Sequence, residues 1–296
     1  MTIKNNADLS QIHYKTLEVE GINIFYRDAG PLDGPTILLL HGFPTSSHMY
    51  RNLIHNLKGK YRLIAPDYPG FGFSDFPDLQ SFEYSFEHLS QVMESFIKLL
   101  ELKSFSLYVQ DYGAPIGFRI IHRHPEWLDC LIIQNANAYE KGIGPIFDPI
   151  LSVWSDPSPA NKKRVTDLFE FPTTRFQYED GASDPSRIAP ETYHLDQLLM
   201  DRPGNKEIQF LLQYDYRNNP PQYPLWHAMF RSVQPPTLVV WGENDQFFTK
   251  EGALAYSEDL KKIEFNFYPA GHFALEEYHE DIAAKIDTFL EAQGKG

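Results

Sequence analysis

The feature that most constrains this chain is "TILLLHG" (36–42), a short continuous apolar run. A strand with one wet face alternates polar and apolar residues, so an unbroken run fits a strand covered on both faces. Similar strand-like runs follow in "YRLIAPDYPG" (61–70), "SFSLYVQD" (104–111), "WLDCLIIQN" (127–135), "PPTLVVWGEND" (235–245) and "KIEFNFYPAGH" (262–272). Helical patterns lie between them. "YSFEHLSQVMESFIKLLELK" (84–103) carries Phe86, Leu89, Val92, Met93, Phe96 and Leu99 at helical spacing. Repeated strand–helix units predict an α/β fold, with a mostly parallel sheet flanked by helices. Such sheets carry their sites at the carboxyl ends of the strands.

Further helices are expected over 47–59, 113–124, 250–260 and 281–293, and an antiparallel hairpin over 15–30, turning at Glu20-Gly21. The alternation breaks at about residue 138. From there to about 230 the chain is rich in Pro, aromatic and helix-like patches, without regular strands. The expected organisation is a core of residues 1–137 and 231–296 with an inserted helical cap, 138–230. At 296 residues the chain is long enough for both.

A net charge of −14 argues against nucleic acid and anionic membranes as partners, because phosphate binding needs clustered Lys and Arg. The one cysteine, Cys130, lies in an apolar strand pattern and reads as a small buried hydrophobe. The polar N-terminus has no signal-peptide pattern, and no apolar run has the length of a membrane helix. A cytoplasmic protein acting on a small hydrophobic molecule and water is expected; its oligomeric state is not readable.

Three polar residues fall where this architecture displays chemistry. Asp111 follows one strand, Asp245 another and His272 the last, in the order nucleophile, acid, histidine. "VQDYG" (109–113) fits a sharp strand-to-helix elbow with Asp111 at its apex. Gly113 suits the crowded turn, and Pro115 suits the first turn of the helix. Taken alone, Asp111 also suits a helix N-cap, and Asp245 an Asx-turn. In "HGFPT" (41–45) the Phe43 backbone N–H can aim at a developing oxyanion, with the Tyr112 N–H as second donor. "DYPGFGFSD" (67–75) lacks the third glycine of a dinucleotide-binding turn and reads as structural.

An aspartate at the apex restricts the reaction. A serine displacing a group from saturated carbon leaves an ether that water does not clear. A carboxylate leaves an ester, whose carbonyl water can attack. Asp ionises without a base, so His272, oriented by Asp245, is free to activate water in a second step. The oxyanion donors then serve hydrolysis of the Asp111 ester. Strained epoxides and alkyl halides both fit, and neither needs a cofactor or a metal.

"HGFPTSS", "DYPGFGFSD", "VQDYGAPIG", "WGENDQFF" and "GHFALEE" together resemble the epoxide hydrolase and haloalkane dehalogenase branch of the α/β-hydrolase superfamily, over nearly the whole chain. The resemblance implies Asp111 as nucleophile, Asp245 as acid and His272 as base. Epoxide hydrolases open the ring with cap tyrosines, and "YDYRNN" (214–219) is similar to one such segment, which points to Tyr216. Tyr178 is the candidate second donor by region. Haloalkane dehalogenases present N–H donors to the halide, often from a Trp after the nucleophile; here Tyr112 and Phe43 hold the equivalent positions. Trp154 is the alternative halide donor. Phe43, Tyr112, Trp154 and Phe273 suggest an aromatic-lined pocket. Epoxide hydrolysis is therefore the leading expectation, haloalkane dehalogenation the alternative, and a non-catalytic binder of a small hydrophobic ligand the reading from another class.

Overall fold

In a computed structural model the described residues are 11–296. The polar opening stretch, residues 1–10, lies outside them. In chain order the elements are β1 (Ile12–Val19), β2 (Ile22–Ala29), β3 (Thr36–Leu40), α1 (Arg51–Leu57), β4 (Arg62–Pro66), α2 (Phe86–Leu99), β5 (Phe105–Gln110), α3 (Gly113–Arg123) and β6 (Leu128–Gln134). Then come α4 (Asp148–Ser155), α5 (Pro159–Thr166), α6 (Phe171–Glu179), α7 (Pro190–Met200), α8 (Asn205–Asp215) and α9 (Tyr223–Val233). The chain closes with β7 (Thr237–Gly242), α10 (Lys250–Ala255), β8 (Ile263–Tyr268) and α11 (Ala274–Ala292).

The eight strands form one sheet in the order β1-β2-β4-β3-β5-β6-β7-β8. β1 and β2 form the antiparallel hairpin, β2 joins β4 antiparallel, and every pairing from β4 through β8 is parallel. Alternate side chains divide the core into two layers. Leu38, Leu40, Leu107, Val109, Ile133 and Trp241 join residues of α2 and α3 on one face. Ile37, Leu39, Tyr108, Cys130, Ile132 and Val240 join residues of α1 and α11 on the other. Cys130 is thus a packed core residue. Each fully buried aliphatic chain contributes about 1.5–3 kcal/mol, and two such layers explain why the inner strands tolerate no polar alternation.

Between β6 and β7 every named element is helical. Side chains tie this insertion to the core. Asp215, at the end of α8, accepts the Phe86 N–H at 2.8 Å. Glu277 of α11 accepts the Ser183 hydroxyl at 2.7 Å and the Asp184 N–H at 2.8 Å. Arg51 and Glu276 form a two-pronged ion pair, at 3.0 and 2.7 Å, across the α1–α11 side. The expected C-terminal helix over 281–293 begins earlier, at Ala274. Non-helical dihedrals at Tyr278 (φ −119°, ψ 20°) kink it and break the periodicity that sequence reading relies on.

Candidate active site

The parallel register lines up the carboxyl ends of β5, β6, β7 and β8, and the site is built there. Asp111 follows β5 directly and holds φ at +48°, a region that aspartate tolerates better than most residues. Two glycines make room for this turn. A Cβ on Gly113 would lie 2.1 Å from the Leu40 carbonyl oxygen, and one on Gly42 would lie 2.2 Å from Asp111 Cβ. Asp111 does not cap α3: that helix has no side-chain N-cap hydrogen bond, and Tyr112 is its cap residue.

The Asp111 carboxylate instead collects the donors expected of an oxyanion site. The Phe43 N–H donates to Oδ1 at 2.6 Å, and the neighbouring Tyr112 N–H also favours the charged carboxylate. Burial pushes the Asp111 carboxyl up to about 6, against the pull of His272 and the two amides, while Asp245 pushes it further. At neutral pH the group is mostly ionised.

His272 lies between β8 and α11, with Nδ1 at 2.8 Å from Asp245 Oδ2 and Nε2 at 4.0 Å from Asp111 Oδ2. Burial lowers its pKa, but the charge and hydrogen bond of Asp245, with the Asp111 charge, outweigh this and hold it above the ordinary value. Asp245 is fixed in turn by the Phe247 N–H to Oδ1 (2.7 Å) and the Asn135 side-chain amide to Oδ2 (2.9 Å).

Sequence reading missed Asn135. It ends β6 at φ +40°. Its carbonyl accepts the Asp111 N–H at 3.2 Å, and its side chain bonds Gly242 and Asp245, so one residue ties nucleophile turn to acid loop. The available signal was an Asn closing a buried strand, a residue suited to positive φ.

The cap contributes aromatic groups. Tyr216 follows α8 and is 1% exposed. Its ring meets those of Tyr112 (6.1 Å), Phe86 (5.5 Å) and Phe147 (5.3 Å). Its hydroxyl neighbours that of Tyr223, which receives the Asn137 side-chain amide at 3.3 Å. The Tyr112 hydroxyl is buried and without a hydrogen-bond partner. Burial, then neighbouring charges that include Asp111, hold both Tyr216 and Tyr112 well above the ordinary phenol value, so both keep their protons.

Two expected cap residues sit differently. Trp154 stacks on Tyr216 at 6.0 Å, but its indole N–H donates to the Gln213 carbonyl at 3.0 Å. Taking that N–H for a halide donor is corrected: the bond satisfies it within the cap. Tyr178 stacks on Phe273 at 4.0 Å, and its hydroxyl donates to Asp196 at 2.5 Å. It packs beside the site as a wall, and its proton is committed away from Asp111. Phe273 itself meets the His272 ring edge-on at 5.1 Å. Among the described residues no group of three or more His, Cys, Asp and Glu could hold a metal ion. No described helix is long and apolar enough to cross a membrane.

Residues 35–278 match the family described as alpha/beta hydrolase fold. An uncharacterized hydrolase of Saccharomyces cerevisiae is 40% identical over 271 residues, covering 90% of this chain and 93% of that protein. A cis-3-alkyl-4-alkyloxetan-2-one decarboxylase of Xanthomonas campestris is 28% identical, covering 94% and 95%. Epoxide hydrolase 2 of Caenorhabditis elegans is 26% identical, covering 83% and 70%. The solved structure of the haloalkane dehalogenase DatA of Agrobacterium tumefaciens superposes with a TM-score of 0.78 at 22% identity, covering 95% and 97%, a likeness of fold. The chain belongs to the alpha/beta hydrolase fold family and is related to epoxide hydrolases and haloalkane dehalogenases within it.

Proposed function

We propose that this chain opens a small strained ring, an epoxide above all, by attack of Asp111 on a saturated carbon. The observation that carries the reading is an ionisable aspartate at the elbow, bonded by the Phe43 N–H at 2.6 Å and buried among tyrosines that retain their protons. Attack forms a bond from Asp111 oxygen to carbon while the carbon–oxygen bond of the ring breaks. The alkoxide takes a proton from Tyr216 or Tyr112. Tyr112 lacks the indole N–H of a halide donor, and its unpartnered phenol O–H suits an oxygen leaving group.

The second step hydrolyses the ester. His272 takes a proton from water, and the water oxygen adds to the Asp111 carbonyl. The Phe43 and Tyr112 amides hold the tetrahedral oxyanion, which collapses as His272 returns its proton to the departing alcohol oxygen; the carboxyl proton left on Asp111 restores the tyrosine, giving free Asp111 and a diol. Ester formation removes the Asp111 charge, one of the causes that raise His272. His272 is thereby made readier to act as base when a base is needed.

Relatives named for an epoxide and for an oxetan-2-one, both small rings, support ring opening. The bond from the Trp154 indole to Gln213 weighs against the dehalogenase alternative. The intact Asp111, Asp245 and His272 set weighs against a pure binder. Parallel incubation with styrene oxide and 1-bromobutane tests the choice. Diol without bromide is expected; bromide without diol would reverse it, and neither product would remove both enzyme readings for common substrates.

A further inference from the structure

A short strap, residues 180–184, joins α6 to α7. The reaction above gives it no part, yet it lies against both loops that hold the base and its acid. On the acid loop, Asn244 and Gln246 flank Asp245. The Asn244 side-chain amide donates to the Gly181 carbonyl at 2.9 Å, and the Gln246 amide donates to Asp180 Oδ2 at 2.7 Å. On the other side, Gly271 directly precedes His272, and Glu277 lies in the first turns of the helix that follows it. Glu277 is buried and accepts the Ser183 N–H at 3.2 Å, the Ser183 hydroxyl at 2.7 Å and the Asp184 N–H at 2.8 Å. The Ser183 hydroxyl also meets the Tyr278 hydroxyl at 2.8 Å, at the kink of α11.

Between these anchors the strap and the loops touch backbone to backbone. A Cβ on Gly271 would lie 1.9 Å from the Asp180 carbonyl oxygen. Gly181 holds φ at +73°, and a Cβ there would lie 2.8 Å from Asn244 Cβ and 2.9 Å from Gly271 Cα. Glycine admits approach this close because it has no side chain to displace. The Asn244 N–H donates to the Ala270 carbonyl at 3.0 Å, which joins the two loops to each other. Main chain in such contact has no side-chain torsion to absorb a shift, so a displaced strap moves Gly271 and Asn244 with it. Asp111 is held from elsewhere, by the Phe43 N–H and by its own N–H bond to the Asn135 carbonyl.

We propose that Gly181 is a positioning residue for ester hydrolysis: the strap, clasped on both loops, sets His272 against Asp245. This rests on the covalent-ester reading above. The 2.8 Å contact from His272 Nδ1 to Asp245 Oδ2 is then held from two sides, by the ends of β7 and β8 and by the helical insertion. In hydrolysis, water loses a proton to His272 as its oxygen bonds to Asp111 Cγ. That proton passes to the departing alcohol as the ester carbon–oxygen bond breaks. An imidazole out of line with its acid performs both transfers poorly. Alkylation needs Asp111 and a tyrosine proton, and neither His272 nor Asp245 makes or breaks a bond in it. A loosened insertion moves Tyr216 and slows alkylation, whereas a misplaced base slows hydrolysis alone.

The test is single-turnover kinetics of Gly181→Ala with styrene oxide, following the ester adduct on Asp111 by intact-protein mass, with far-UV circular dichroism as the check of fold. Alkylation is expected to stay within about threefold of the parent while ester hydrolysis slows about tenfold or more, since a misplacement on the order of 1 Å costs up to about 10²-fold. The adduct then accumulates. Asn244→Ala removes the bond to Gly181 at an exposed side chain. It should slow hydrolysis at least about threefold more than alkylation, and it carries the test alone if Gly181→Ala does not fold. Clearance of the ester at the parent rate by a folded variant overturns the proposal, as does a slowing shared equally by both steps or confined to alkylation. His272→Gln is run beside them. An adduct in His272→Gln with none in the strap variants sinks the role of the strap alone, whereas no adduct in His272→Gln sinks the covalent reading beneath it.

Discussion

The carboxyl ends of the central strands and the helical insertion each bury an aspartate, and the two differ in charge. Asp111 is pushed up by burial to about 6, with His272 and two backbone amides pulling against it. Asp196, in α7, is pushed up by burial to about 8, although Tyr178 donates to it and Thr45 and Arg51 also pull it down. Nearby Glu276 raises it further. Near neutral pH Asp111 is therefore mostly an anion and Asp196 mostly an acid. Backbone N–H groups held by a strand-to-helix turn cannot rotate away, and His272 adds its pull; the hydroxyl partners of Asp196 do less. The sheet edge keeps a charge for attack, and the cap offers neutral donors.

Removing the anion is the most severe way to break this contrast. Asp111→Ala is expected to abolish turnover, by about 10⁴-fold or more, with the fold intact, since the residue is the attacking atom itself. Steady-state diol formation together with far-UV circular dichroism checks it. Removing a neutral donor tests the other side. Tyr216→Phe should lower the rate on an epoxide by about 10²-fold, the typical worth of a positioned acid. It should leave any slow displacement of bromide far less affected, because bromide leaves without a proton.

A pH profile sharpens the contrast without mutation. Attack needs ionised Asp111, so kcat/KM should fall about tenfold per unit once the pH drops below about 6. A profile flat to pH 5 would contradict this. The last effect is on stability and leaves the chemistry untouched. The Asp196 pKa is raised on folding, so the folded state binds the extra proton, and its stabilising share is lost as pH rises from about 4 to about 8. Asp196→Asn removes that dependence. The variant should melt measurably above the parent at pH 8, with the gain vanishing at pH 4 in thermal melts.

The sheet-edge half of this picture was readable in the sequence and the cap half was not. "TILLLHG" and "SFSLYVQD" obey local rules, and the elbow needs only five adjacent residues. Asp245 and His272 stood out because each follows a strand. Asn135 escaped because its partners lie far along the chain, at Gly242 and Asp245, and only the strand order brings them together. Tyr178 and Trp154 show the same limit. Both lie in the helical insertion, but which acceptor each side chain takes, Asp196 and the Gln213 carbonyl, depends on tertiary packing.

The central claim is that Asp111 itself, and not water, attacks the substrate. One turnover of excess enzyme with styrene oxide in ¹⁸O-labelled water tests this most directly, by mass spectrometry of the diol and of the Asp111 peptide. The account predicts an unlabelled diol, its new oxygen drawn from Asp111, with ¹⁸O left in the Asp111 carboxylate. Label in the diol after that first turnover, with an unlabelled Asp111, would contradict it.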